Sequence, residues 1–364
     1  MTKKFSNVRS IMLDVAYDVC GCVNYDGPEA VYPLMSLGLF NPGKSLAVKN
    51  NKFAKRHFNA ENPKQFRYCI SGECQKKALY YDTMALEAPD RANIPHVIPV
   101  IAANPDMITR GYTIASTLTK LQKSSALCLP DAEEVGPWRD TIVMDFHSRS
   151  GEKKLKEDKK DGDGSDTTIY KCENVGRGEY RTRGFINLEN LQFISADPLF
   201  DRQAVIADGG LDEKIFLSEL EKNMTDFKPE IKYWYRKNSY LGDIAAERGI
   251  LLNSKSVDML IKRILRKITT IEITKSYAWL RFKSLTITVL CDEKPEPFVI
   301  TANDIDGLYF DTHVWYQEAT LEQIEENHRL LKEREEAERK AKEEKGKGKG
   351  KKKGAETDET ETEE

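Results

Sequence analysis

Residues 151–166 read GEKKLKEDKKDGDGSD, and no other stretch constrains the fold of this chain so strongly. Leu155 is the single apolar side chain among charges and glycines. Such a segment cannot bury enough surface to offset the entropy of ordering, so a disordered tip is expected there. Strand formers flank it, at residues 142–146 before and at 167–171 and 179–188 after. Two strands joined by a charged tip predict a protruding, hairpin-like element.

Strand and helix patterns alternate through the rest of the chain. Residues 8–25 read as a long first strand, with Val8, Ile11, Leu13, Val15, Tyr17 and Val19 in imperfect alternation. Residues 28–39 suit a short helix, 66–70 a short strand, and 71–86 a helix capped by Ser71. The apolar, Pro-punctuated run 95–103 reads as an edge strand. Residues 211–224 are amphipathic. Residues 256–268 give a clearer helix, capped by Ser256, with Val257, Leu260, Ile261, Ile264, Leu265 and Ile268 on one face. Strands follow at 279–282 and 285–290. This order predicts an α+β palm with peripheral excursions and no internal repeat. The 364 residues suffice for one large domain or two ordinary ones. The division expected is a palm with its insertions over 1–318, a charged helix over 319–345, and a disordered basic-then-acidic tail over 346–364.

Enzyme signatures are missing from the sequence: there is no P-loop, GxGxxG, HExxH or GxSxG. The five histidines, His57, His96, His147, His313 and His328, are dispersed, and His57 beside Arg56 suits a phosphate contact better than a base. Asp14 and Asp18 suit either a divalent ion or ordinary caps and turns. Seven scattered cysteines point to a reduced, cytoplasmic protein. Cys20 with Cys22, and Cys69 with Cys74, lack the repeated CxxC spacing of structural zinc. No apolar run reaches the roughly 18 residues a membrane span needs. The start MTKKFSNVRSIML is broken by Asp14 and reads as a strand and not as a signal peptide.

The formal net charge is −3, so a basic stretch is a local placement. Residues 44–56 hold Lys44, Lys49, Lys52, Lys55 and Arg56 without one acidic residue, and add Asn50, Asn51 and Phe53. Cations for phosphates, amides for sugar and backbone, and an aromatic for stacking suit a nucleic acid. A solvated loop is the other reading. A second cluster alternates Arg177, Arg181 and Arg183 with Tyr180 and Phe185. On a strand, Arg181 and Arg183 share a face. Gly176, Gly178 and Gly184 would let the backbone approach a phosphate closely; an ordinary exposed strand with a turn at VGRG explains them as well. A third, KYWYRKNSY, suits core or subunit contact more than a base platform. A fourth sets Arg110, Lys120 and Lys123 among hydroxyl side chains, and Arg149 beside the charged tip completes the candidates.

An early strand followed by a basic, Asn-containing segment at 44–56, a central strand pair broken by the insertion at 151–166, and a late helix–strand unit together resemble one family. It is the hand-shaped backbone subunit of class 1 CRISPR surveillance complexes, in the RAMP superfamily. The resemblance spans roughly residues 5–318 and is nearest to the minimal type I-F variant or to type IV systems. It implies a modified RRM-like (ferredoxin-like) palm with large inserted finger and thumb elements. It also implies a non-catalytic, cofactor-free protein that binds CRISPR RNA, forms a filament with copies of itself, and presents the guide to target DNA. Other Cas subunits and a recruited helicase or nuclease would be its partners. Two departures stand out. No aromatic RNP1 motif is found, so contacts through loops are expected in place of stacking on the sheet. Some relatives cleave RNA with a loop aspartate, and Asp26 in NYDG fits that role or a simple turn. A monomeric RNA-binding or metal-dependent RNA-processing protein is the alternative.

Overall fold

A computed structural model of the protein describes residues 3–25, 55–81, 97–115, 120–141, 143–150, 167–237, 246–275 and 278–352. The helix expected at 28–39 and the charged tip at 151–166 lie outside these residues. The chain divides into two units of three segments each. Unit one takes Met1–Glu87, Ser125–Leu188 and Val257–His313; unit two takes Ala88–Ser124, Glu189–Ser256 and Val314–Glu364.

The elements begin with β1 (Lys3–Val8), β2 (Ser10–Tyr25), β3 (Lys55–Phe58), β4 (Phe66–Ile70) and α1 (Gly72–Leu79). Next come α2 (Val97–Ala103), α3 (Pro105–Arg110), β5 (Tyr112–Ala115), β6 (Lys120–Lys123), β7 (Leu127–Cys128) and β8 (Ala132–Glu134). β9 (Met144–Ser150), β10 (Thr167–Asn187), α4 (Leu188–Gln192), β11 (Phe193–Ser195), α5 (Leu211–Asn223), β12 (Lys232–Arg236) and β13 (Glu247–Leu251) follow. The last are α6 (Ser254–Thr269), β14 (Glu272–Lys275), β15 (Ala278–Leu290), β16 (Pro297–Ile300), β17 (Leu308–Thr312), β18 (Tyr316–Glu318) and α7 (Leu321–Lys352). The mixed α and β content expected from the sequence is therefore present.

Unit one is built on an antiparallel sheet ordered β14–β15–β2–β10–β8–β4–β3. Its interior strand β2, between β15 and β10, alternates so as to sort its two faces. Ile11, Leu13, Val15, Tyr17 and Val19 are buried, while Met12, Asp14 and Asp18 take the opposite, open face. Helix α1 covers the buried face, where the Tyr17 hydroxyl donates to Gln75 Oε1 at 3.0 Å. Ser71 caps α1 as expected, accepting from Cys74 N at 3.2 Å, but the helix stops at Leu79. The stripe Val257, Leu260, Ile261, Ile264, Leu265 and Ile268 of α6 is wholly buried. At roughly 1.5–3 kcal/mol per aliphatic side chain, this face is a principal source of unit-one stability. In chain order β2, α1, β8, β10, α6 and β15 form a β-α-β-β-α-β series, and its strands lie in the order β15–β2–β10–β8, every neighbour antiparallel.

Several boundaries differ from the sequence reading. The long first strand is present as β2; what the sequence reading did not separate is β1 before it, which ends where Asn7 turns the chain at φ 56° and pairs in parallel with β17. The two strands expected after the charged tip are one, β10, with a bulge at Asn174/Gly176, where Gly176 adopts φ 71°. β9 pairs with its first half, Ser150 opposite Thr167, so the hairpin-like element is present. Likewise 279–290 is one strand, bulged between Phe282 and Ser284. The edge strand expected at 95–103 is the helix α2. A short apolar run has no periodicity that separates the two states, and Pro99 sits in the first turn, where its missing N–H has no helical partner. The cap of α6 is Asn253, whose Oδ1 accepts from Ser256 N at 2.8 Å; Ser256 itself is buried in the first turn.

Unit two holds the antiparallel sheet β11–β13–β12–β18 and the β5–β6 pair. Helix α7 opens with a reciprocal cap. Gln323 N donates to Thr320 Oγ1 at 3.4 Å, and Thr320 N donates to Gln323 Oε1 at 3.0 Å. Buried Asn327 ties the helix down by donating to Asp197 Oδ2 at 2.9 Å. The helix continues past its expected end at 345 to Lys352. Lysine is a good helix former, and propagating an existing helix is easier than starting one, which offsets the roughly 1 kcal/mol cost of each glycine there.

Candidate nucleic-acid interface

The open face of the unit-one sheet carries a lattice of charge. On β10, Tyr180, Thr182 and Ile186 point into the core, so Arg177, Glu179, Arg181 and Arg183 point out. Opposite them on β2 stand Asp14 and Asp18. Arg177 Nη2 lies 3.0 Å from Asp18 Oδ2. Asp14 serves two guanidinium groups, with Arg181 Nε at 3.2 Å and Arg183 Nε at 3.4 Å. On β15, Lys283 donates to Glu179 at 2.5 Å and Arg281 pairs with Glu272 at 3.0 Å. Arg177 and Arg183 are 73% and 75% exposed, so these pairs are solvent-screened. The carboxylates spread the arginines over the sheet without sequestering them. Hydrogen bonding to Asp18 also raises the Arg177 pKa, so it stays cationic. Phe185 and Met12 are directly opposed beside Arg183, and both are more than a third exposed. The sequence reading missed that pair.

The β3–β4–β8 edge of the same sheet adds a second group. His57 and Arg67 are a directly opposed cross-strand pair. His57 Nδ1 lies 2.6 Å from Glu133 Oε1, and the Arg67 guanidinium lies 4.4 Å from the Trp138 ring centre. Arg56 packs on Phe66, with 5.3 Å between guanidinium and ring. Arg139 is held by a bidentate contact to buried Glu134, which raises its pKa.

The sequence candidates therefore divide. Arg177, Arg181 and Arg183 come together on one face. Lys44, Lys49, Asn50, Asn51, Lys52 and Phe53 lie outside the described residues, as does Asp26; Lys55 and Arg149 have described backbone only, in β3 and β9. Arg110 and Lys120 belong to unit two, Arg110 partly exposed at the end of α3 and Lys120 exposed on β6. Lys123 is a correction: it is buried, and its ammonium donates to Asn190 O. Burial lowers its pKa to about 7; Arg202 acts in the same direction and Glu247 opposes. A lysine among hydroxyl residues is legible as polar, but its burial depends on unit-two contacts distant in sequence. Gly184 is a second correction, while Gly176 and Gly178 have no close neighbour. A Cβ on Gly184 would stand 2.2 Å from Cys128 O, so its bareness admits a neighbouring strand and not a phosphate. In the third cluster, the Trp234 indole donates to Gly249 O at 3.0 Å and Arg236 pairs with Glu189, which suits the packing role expected.

Among the described residues no group of three or more His, Cys, Asp or Glu side chains is arranged to hold a metal, and no helix is long and apolar enough to cross a membrane.

No curated protein matches the sequence. Solved chains are distantly similar, and two illustrate the likeness. One, titled "CRISPR RNA-guided surveillance complex", is 9% identical over 91% of this chain and 84% of its own, with a TM-score of 0.33. The other, "CRISPR RNA-guided surveillance complex, pre-nicking", is 10% identical over 78% of this chain and 77% of its own, with a TM-score of 0.34. Neither is similar enough to define the fold. A family model described as "Type I-Fv CRISPR-associated protein Cas7fv-like" matches residues 38–294, well over half of the chain. The protein belongs to the Cas7fv-like family of type I-Fv CRISPR-associated proteins.

Proposed function

We propose that this chain is a non-catalytic subunit that binds CRISPR RNA along its backbone, oligomerises on that guide and holds it ready for pairing with target DNA. The observation that carries the reading is the row Arg177, Arg181 and Arg183 on the open sheet face of a member of this family. Each exposed carboxylate pair is worth roughly 0–1 kcal/mol, so a phosphate can replace Asp14 or Asp18 at little cost. Guanidinium groups bind phosphate through two parallel hydrogen bonds, which fixes the backbone without reading sequence. Sequence is then read by base pairing. The β15–β2–β10–β8 order supports an RRM-like palm, and the β9–β10 pair is assigned as the inserted thumb.

The test is reconstitution with guide RNA. The unsubstituted protein is expected to purify with nucleic acid and to form particles of defined mass. Arg181→Ala/Arg183→Ala should form shortened particles, and its salt slope on single-stranded RNA should fall by about 0.7 for each phosphate no longer neutralised. Purification free of nucleic acid, with no RNA binding at low salt, would overturn the proposal.

A further inference from the structure

Trp138 lies in the connection after β8, among neighbours that are themselves fixed by hydrogen bonds. Its neighbour Arg139 is pinned by the bidentate contact to Glu134, by a 2.9 Å bond to Val175 O, and by a reciprocal backbone pair with Phe66 at 2.8 and 2.9 Å. Arg67, whose guanidinium lies 4.4 Å from the indole centre, is itself fixed by a 2.6 Å bond to Gly136 O. The His57 ring meets the indole edge-on at 6.4 Å and is held by Glu133. Despite these supports the indole is only partly buried. The three residues before it, Val135, Gly136 and Pro137, are exposed. A partly exposed indole among fixed neighbours, backed by a cation and beside β3, which begins within the basic stretch 44–56, has the properties of a stacking platform.

We infer that Trp138 stacks on a base of single-stranded nucleic acid, with Arg67 as its positioning residue. The inference rests on the RNA-binding reading and adds a subsite to it. The base donates only its π face, so the contact is sequence-tolerant and releases no counterions. Rigid placement matters because the entropy of ordering the ring is already spent in the free protein.

The experiment uses the full chain and an oligouridine with one photoactivatable 5-bromouridine. Irradiation is expected to give a cross-link mapping to Trp138 on the unsubstituted protein, a result that needs no variant to fold. Trp138→Leu, which keeps an apolar side chain but removes the π system, should weaken RNA binding roughly 5- to 100-fold at an unchanged salt slope. Trp138→Tyr should restore most of the affinity. A protein that binds no single-stranded nucleic acid overturns both this inference and the reading beneath it. Normal RNA binding with unchanged affinity in Trp138→Leu, or cross-links that map elsewhere, overturns this inference alone. A drop in affinity accompanied by a shallower salt slope would mark Trp138 as a support for the neighbouring cations, and also overturns it.

Discussion

Gly184 offers the sharpest test of how the arginine-bearing strand is held. It lies on the core side of β10, between Arg183 and Phe185. A Cβ built there stands 2.2 Å from Cys128 O, 2.9 Å from Leu129 Cδ2 and 3.2 Å from Cys128 C. The nearest atom is backbone, and it belongs to β7, which pairs with β10 at only Phe185↔Cys128 and Ile186↔Leu127. Relief therefore requires moving the strand. Overpacking of this kind typically costs about 1–3 kcal/mol, and breaking one or two ladder hydrogen bonds adds about 1 each. Alanine returns roughly 0.5–1 kcal/mol through a stiffer unfolded chain. Gly184→Ala should thus destabilise the protein by about 1–4 kcal/mol. Gly178→Ala is the control on the same strand: its nearest atoms are 3.8 Å away, in ordinary contact, so the change should be neutral or stabilising by up to about 1 kcal/mol. Urea unfolding followed by far-UV circular dichroism compares the two. Equal midpoints, or a Gly184→Ala midpoint above that of the unsubstituted protein, would refute the close-approach explanation.

Lys123→Met should change how stability depends on pH. The folded pKa of about 7 lies below the ordinary 10.5, so the unfolded chain binds more protons between those values and stability rises with pH across that window. The variant should be the more stable protein near pH 7 and should lose most of that rise, an effect on the order of a few kcal/mol; parallel thermal-melting profiles from about pH 6 to 10 would contradict it. Lys49→Ala/Lys52→Ala should lower the salt slope for single-stranded RNA by about 1.4 if both lysines meet phosphates, and an unchanged slope and affinity would remove the 44–56 segment from the interface. Deleting the chain from Lys345 onward should weaken salt-sensitive, non-specific binding while leaving the number of subunits per guide unchanged, because a Gly-Lys repeat followed by a Glu-rich run carries no register; failure to assemble after the deletion would show otherwise.

Features of unit one that depend on local period were legible in the sequence. The α6 stripe and the shared face of Arg181 and Arg183 follow from the helical and strand periods of about 3.6 and 2 residues. What escaped is non-local. Asp14 and Asp18 read as caps or ion ligands because their arginine partners lie more than 150 residues away. Gly184 read as a phosphate-approach glycine because its real neighbour, Cys128, lies on another strand. Trp138 drew no notice because the cross-strand pair His57 and Arg67 that surrounds it forms only when β3 and β4 meet. The run 95–103 failed for a different reason: it is too short for periodicity to choose between helix and strand.

The position of β2 in the interior of its sheet has a consequence for biosynthesis. Its two neighbours are encoded far downstream, β10 from Thr167 and β15 from Ala278. At roughly 5–20 residues per second, a ribosome that has finished β2 needs about 13–50 s more to reach β15. Until then a 16-residue strand, apolar on one face, waits with at least one edge unpaired. Strand edges of this kind are where nascent chains associate wrongly, so the yield of native protein should depend on translation speed and chaperone supply as well as on the strength of the finished sheet.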